Sequence, residues 1–168
     1  MNYEDYIASI PDFPKKGIMF RDITPILADP QVLSSLIDDF AEFAKKTGAD
    51  AIAAPEARGF LFGLPTAIKA GLPFIPVRKP GKLPRETVGV EYDLEYGTDR
   101  LEMHKDALKP GEKVLVIDDL LATGGTVAAI EQLIQEMGAE CAGYGFVVEL
   151  DDLNGRQKLG DYPIYSLT

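Results

Sequence analysis

The chain has one cysteine, one histidine and no tryptophan. Cys141, alone in an apolar run, has no partner for an internal disulfide and reads as a core residue rather than a nucleophile. His104 has no second histidine or nearby cysteine with which to build a metal cluster, and it reads as a strand residue. Cations are scarce: 17 Lys and Arg against 27 Asp and Glu give a formal charge of −10. That balance argues against a nucleic-acid-binding face, so any phosphate site must be local. No apolar run approaches the ~18 residues of a membrane span, and the acidic start Met1–Tyr6 lacks an apolar targeting core. The expectation is a cytoplasmic protein without membrane association. The two common nucleotide motifs are missing too, since no Lys follows the glycines of a phosphate loop and no Gly-x-Gly-x-x-Gly spacing occurs.

At 168 residues the chain suits one domain spanning 1–168. Its organising stretch runs from Val114 to Thr126. Val114–Ile117 is an unbroken, mostly β-branched apolar run, the pattern of a central strand covered on both faces in a parallel sheet. Asp118 and Asp119 follow at once. Adjacent carboxylates at the edge of a core repel each other unless hydroxyls, amides or a cation meet them, which points to ligand binding. Ala122, Thr123, Gly124, Gly125 and Thr126 then offer two hydroxyls and a glycine-rich backbone. From Val127, apolar residues Ile130, Leu133, Ile134 and Met137 recur at helical spacing up to Gly138. A loop whose N–H groups converge at a helix N-terminus cradles a phosphate. With a carboxylate pair about one ribose away, able to accept from a vicinal diol, the stretch suits a ribose 5-phosphate.

Residues 3–10 read as a short helix, and 13–25 as an ordered loop broken by Pro14, Gly17 and Pro25. Phe20 and Arg21 in that loop suit stacking on a planar base and holding a negative group, although spacing alone favours the plainer role of anchoring the loop. Asp29-Pro30 opens a helix with Val32, Leu33, Leu36, Ile37, Phe40, Phe43 and Ala44 on its buried face, closed by Gly48. Ala51–Ala54, a helix over Phe60–Ala70 and Phe74–Val77 form a βαβ unit. Open α/β sheets hold ligands at the carboxyl ends of their strands, so Glu56–Gly59 and Asp118–Thr126 should share a crevice. Arg58 is placed there for a phosphate or, in the plainer reading, a pair with Glu56. Arg78, Lys79, Lys82 and Arg85 put four cations within eight residues, a local anion funnel. The alternation of Val88, Val90, Tyr92, Leu94 and Tyr96, followed by Leu101 and Met103 on one face, predicts a β-hairpin that suits a lid. Tyr144–Leu150 and Ile164–Leu167 add strands and Asn154-Gly155 a turn, while Asp151 and Asp152 read as solvated or capping residues.

The thirteen residues from Val114 to Thr126 resemble, without a gap, the signature of the type I phosphoribosyltransferases, and four motifs from Phe13 onward resemble its adenine-specific members in order. The resemblance implies an α/β fold with a central, mostly parallel twisted sheet flanked by helices, an N-terminal hood at about 1–28 and a flexible β-hairpin lid at about 79–104. It implies transfer of the 5-phosphoribosyl group of 5-phosphoribosyl 1-pyrophosphate to adenine, giving AMP and pyrophosphate in purine salvage. Phe20 would stack on the purine, with backbone near Met19 and Arg21 reading its polar edge. Asp118 and Asp119 would hold the ribose hydroxyls, and Ala122 to Thr126 the 5-phosphate. Arg58 and Lys82 would neutralise the pyrophosphate together with Mg²⁺, itself held mainly by substrate and water. Glu95 and Tyr96 would close over the reacting base, with Glu95 handling its proton. A cis bond at Glu56–Ala57 and a homodimer with Arg78 near its interface are implied as well. Ala122 stands where enzymes for 6-oxopurines carry a proton-handling Asp, which disfavours those bases. The alternatives are another base, xanthine or orotate, and a regulator that binds the phosphoribosyl ligand without turnover.

Overall fold

The computed structural model describes residues 1–93 and 96–168. A 3₁₀ turn at Tyr3–Tyr6 precedes β1 (Ala8–Ile10), which pairs antiparallel with β2 (Phe20–Asp22). The helix expected over 3–10 therefore stops after one turn. The Tyr3 hydroxyl is tied to Ser35 at 3.0 Å and Asp39 at 2.5 Å, while the residues after Ile7 gain a strand partner instead. The short α1 (Thr24–Ala28) leads into α2 (Pro30–Thr47). The Asp29 carboxylate accepts from the N–H groups of Gln31 and Val32 at 3.0 and 3.2 Å, satisfying donors that the first helical turn leaves free. The predicted apolar face of α2 is buried, with Leu33 at its margin.

Strand β3 (Ala51–Pro55), helix α3 (Arg58–Ala70) and strand β4 (Phe74–Val77) form the expected βαβ unit. Next come the hairpin β5 (Thr87–Asp93) and β6 (Thr98–His104), then β7 (Lys113–Leu121), α4 (Gly125–Glu136), β8 (Glu140–Glu149) and β9 (Ile164–Ser166). The main sheet has the order β4-β3-β7-β8-β9, all parallel, with β7 at its centre. Alternate residues of β7 face opposite layers. Val114 and Val116 pack with α4 and the hairpin, Leu115 and Ile117 with α2 and α3. Cys141 is buried in the first of these layers, as its surroundings in the sequence suggested. No helix among the described residues is long and apolar enough to cross a membrane.

Two further features differ from the sequence reading. β7 does not end at Ile117 but continues through both aspartates to Leu121, because its backbone ladder with β8 persists to Leu121 opposite Glu149 whatever the side chains. The hairpin is not a detached flap, since Val90, Leu101 and Met103 are buried in the core beside α4. Strict alternation marks one apolar face but does not say what covers it. Within the expected lid, the segment 79–86, exposed apart from the half-buried Leu83, and the exposed residues 96–98 lie outside the core.

Candidate active site

Segments after β3, β4 and β7 meet at the carboxyl ends of the strands, where parallel sheets hold ligands. The loop after β7 wraps a small cavity of about 80 Å³ lined by Asp118, Ala122, Thr123, Gly124, Gly125 and Thr126, with α4 starting behind it. Gly124 has φ +89° and its α-carbon faces the Gly155 carbonyl, which stands 2.5 Å from where a β-carbon would be. Gly155 in turn lies under the Ala122 carbonyl, 2.4 Å from its own missing β-carbon. The two glycines are what let the 155 turn brace the loop from beneath. The Leu150 N–H donates to the Leu121 carbonyl at 2.9 Å, and Arg156 grips Glu149 through two bonds of 2.6 and 2.7 Å. Sequence reasoning saw only a turn at Asn154-Gly155. The brace rests on backbone approach across 30 residues and leaves no local signal.

Asp118 and Asp119 sit at this end of β7, Asp119 buried and Asp118 partly so. The Asp119 N–H donates to Asp118 Oδ1 at 2.8 Å. Burial, and then the adjacent Asp119 charge, push the Asp118 carboxyl well above the usual carboxylate range. Arg58 Nε lies 3.0 Å from Asp119 Oδ2, so the guanidinium supplies the counter-charge this pair requires. The plainer expectation that Arg58 pairs with Glu56 does not hold. Glu56 instead accepts from Arg78 Nε at 3.2 Å and the Lys79 N–H at 2.8 Å on Oε1, and from Lys82 Nζ at 2.5 Å on Oε2. Burial raises the Glu56 carboxyl, but these three donors outweigh it and hold it below its ordinary value. The Glu56–Ala57 peptide is cis, as expected.

Across Arg58 from the acidic pair opens a mainly apolar cleft of about 480 Å³. Phe20 forms one wall, meeting Phe13 edge to face with centroids 5.1 Å apart, and Ile10, Leu27 and Leu61 extend it. Arg21 belongs to the same wall, but its guanidinium turns to Glu4 and to Ser9 Oγ at 3.3 Å, while its Nε is buried without a partner. A side chain held by Glu4 is not free to hold a ligand's negative group. Met19 is exposed and does not line the cleft. Tyr96 is 88% exposed, and Glu95 lies outside the described residues.

A second missed feature links the hairpin to the glycine-rich loop after β7. The Tyr92 ring edge lies 3.8 Å from where a β-carbon on Gly125 would stand, and its hydroxyl is 3.4 Å from Asp99 Oδ2, itself 3.2 Å from Lys79 Nζ. Burial raises the Tyr92 phenol against the opposing pull of the Thr126 hydroxyl. The sequence showed Tyr92 only as one member of an alternating run.

A parallel α/β sheet with a glycine-rich anion loop, an acidic pair and a base-sized cleft in line is the layout of a nucleotide-forming transferase. The chain belongs to the phosphoribosyltransferase family, whose model, described as the phosphoribosyl transferase domain, matches residues 26–168. Among its relatives within that family are adenine phosphoribosyltransferases. The one from Clostridium perfringens is 56% identical over 167 residues, covering 99% of this chain and 97% of that protein. The crystal structure of the Thermoanaerobacter pseudethanolicus enzyme superposes with a TM-score of 0.93 at 53% identity, covering 98% of this chain and 96% of that one. The Saccharomyces cerevisiae enzyme, complexed with adenine and an imino-altritol bisphosphate, gives 0.94 at 40% identity, covering 99% and 96%.

Proposed function

We propose that the chain transfers the 5-phosphoribosyl group of 5-phosphoribosyl 1-pyrophosphate to adenine, forming AMP and pyrophosphate. The observation that carries this reading is the position of Arg58, which lines the apolar cleft and pairs with Asp119. Base cleft, acidic pair and phosphate loop are therefore consecutive, in the order base, ribose, 5-phosphate. Displacement at the anomeric carbon leaves an oxocarbenium-like ribose, so catalysis requires a held sugar, a neutralised leaving group and exclusion of water. Asp118 and Asp119 accept from the ribose hydroxyls, Ala122 to Thr126 hold the 5-phosphate, and Arg58 and Lys82 meet the pyrophosphate. Phe20 stacks on adenine. Ala122 leaves the loop without an acid for a 6-oxopurine. Glu95 is assigned the proton on the base and Tyr96 the closing face.

Among the described residues no cluster of three or more metal-ligating side chains occurs, and the oxygen donors that exist at Asp118 and Asp119 suit a hard cation arriving on the substrate. Mg²⁺ bound this way supplies charge neutralisation of the leaving pyrophosphate. Two copies of the chain are proposed to associate, because α3 exposes Leu61, Leu64 and Ile68 along one face beside the site. A cytoplasmic setting accords with the lone, buried thiol.

The test is an assay of purified protein with Mg²⁺, 5-phosphoribosyl 1-pyrophosphate and one base at a time from adenine, hypoxanthine, guanine, xanthine and orotate, with nucleotide separated by chromatography. AMP from adenine alone is expected. Turnover of another base instead overturns the Phe20 cleft as an adenine site, and ligand binding without any nucleotide identifies a regulator.

A further inference from the structure

Glu56, itself an anion, holds Lys82, one of the two cations assigned to pyrophosphate. Its two oxygens are used differently. Oε1 is saturated by the Arg78 guanidinium and the Lys79 backbone N–H, both part of the segment leaving β4, whereas Oε2 is held by the Lys82 ammonium alone. Arg78 is further fixed by two backbone bonds with Glu102 and by the face of Phe60, 5.8 Å away. Lys82 has no other ion pair among the described residues, and its side chain is nearly half exposed. The carboxylate, only 10% exposed, would be costly to leave unpaired. Losing Lys82 does not leave it so, because Arg78 and the Lys79 N–H remain.

We propose that Glu56 is a positioning residue that occupies the place of pyrophosphate on Lys82 in the free protein and hands the ammonium to the incoming pyrophosphate while remaining anchored through Oε1. This rests on the reading of the site given above. Lys82 is thereby kept over the crevice when no substrate is present, instead of losing its order to solvent. Each binding event then includes an exchange of one anion for another on the same ammonium, so part of the attraction of Lys82 for pyrophosphate is used to displace Glu56.

The experiment is calorimetric titration of pyrophosphate, with Mg²⁺ present, into wild type, Glu56→Gln, Lys82→Ala and the double variant. Gln keeps an oxygen for Arg78 and the Lys79 N–H but offers Lys82 no charge. Expected is a gain in pyrophosphate affinity of roughly three- to tenfold for Glu56→Gln. In the Lys82→Ala background the same substitution should change affinity by less than about twofold, since no shared ammonium remains. An equal gain in both backgrounds means that the Glu56 charge acts only through space, and it overturns the proposal, as does an unchanged or weakened affinity for Glu56→Gln alone. Should Glu56→Gln not fold, the ¹⁵N resonance of the Lys82 ammonium in wild type reads the same exchange, and a resonance unmoved by saturating pyrophosphate overturns it. Wild type showing no saturable binding at all overturns the underlying reading; saturable binding without the Lys82-dependent gain overturns this inference alone.

Discussion

Arg58 and Asp119 are partners across the crevice, Nε to Oδ2 at 3.0 Å, and so join the wall of the base cleft to the carboxyl end of the central strand. Arg58→Ala removes the cation nearest a buried acidic pair and the fork expected to meet the pyrophosphate. Turnover efficiency should fall by about 100-fold or more, whereas stability should fall by only about 1 kcal/mol, because Arg58 is half exposed and solvent screens the pair. Arg58→Lys should recover stability but little activity, an ammonium having no planar fork. Steady-state kinetics and thermal unfolding of both variants check this; full activity in Arg58→Ala rules the role out.

Phe20→Ala removes one wall of the cleft. The KM for adenine should rise about 10- to 100-fold, as expected for loss of stacking of about 1–3 kcal/mol, with that for 5-phosphoribosyl 1-pyrophosphate changed less than about threefold. Phe20→Leu, which keeps apolar area, should fall between. Equal effects on both substrates would assign Phe20 to anchoring the hood.

Gly155→Ala forces a β-carbon to within 2.4 Å of the Ala122 carbonyl and 2.8 Å of the Leu121 side chain. Backbone cannot yield as a side chain does, so the phosphate loop must shift. A loss of about 2–3 kcal/mol in stability is expected, together with weakened binding of ribose 5-phosphate. Unfolding curves and titration with ribose 5-phosphate test the two effects separately, and undiminished affinity would show that the turn does not support the loop.

The raised Asp118 carboxyl sets the direction of a pH dependence. Its folded form binds a proton more readily than the unfolded chain does, so its contribution to stability is fully present below the ordinary carboxylate pKa and is lost as pH rises through the folded value. Asp118→Asn removes that loss. Relative to wild type it should become progressively more heat-stable as pH rises from the acid range toward neutrality, while failing to bind 5-phosphoribosyl 1-pyrophosphate. Melting temperatures of the two proteins across pH give the answer, and a difference that shrinks with pH contradicts the assignment.

Glu95→Gln addresses the proton on the base. Turnover should drop much more than phosphoribosyl binding weakens. Unaltered turnover excludes Glu95 as the proton-handling group.

Much of this architecture is written locally. The capping Asp29, the helical spacing from Val32 to Ala44 and the apolar run before Asp118 each act within a few residues, so their outcome follows from neighbours in the chain. The glycine-rich loop after β7 was legible for the same reason, since glycines, hydroxyls and the helix behind them are contiguous. What escaped was tertiary choice among equivalent partners. Arg58 had Glu56 two residues away and took Asp119, 61 positions on, because the end of β7 lies beside the start of α3. Glu56 drew its cations from beyond β4. The hairpin's apolar face reads identically whether α4 or a substrate covers it, and only the packing of Val90, Leu101 and Met103 decides.

The strands β1 and β2 form a small sheet of their own, apart from the five-stranded one, and carry Ile10, Phe20 and Arg21 of the cleft. Most of the cleft wall thus comes from the first 27 residues, with only Arg58 and Leu61 of α3 added from the part of the chain that builds the five-stranded sheet. Heredity can act on the two parts almost separately: substitutions or exchange near the amino terminus can reshape most of the cleft while the five-stranded sheet is inherited intact, with α3 the element common to both.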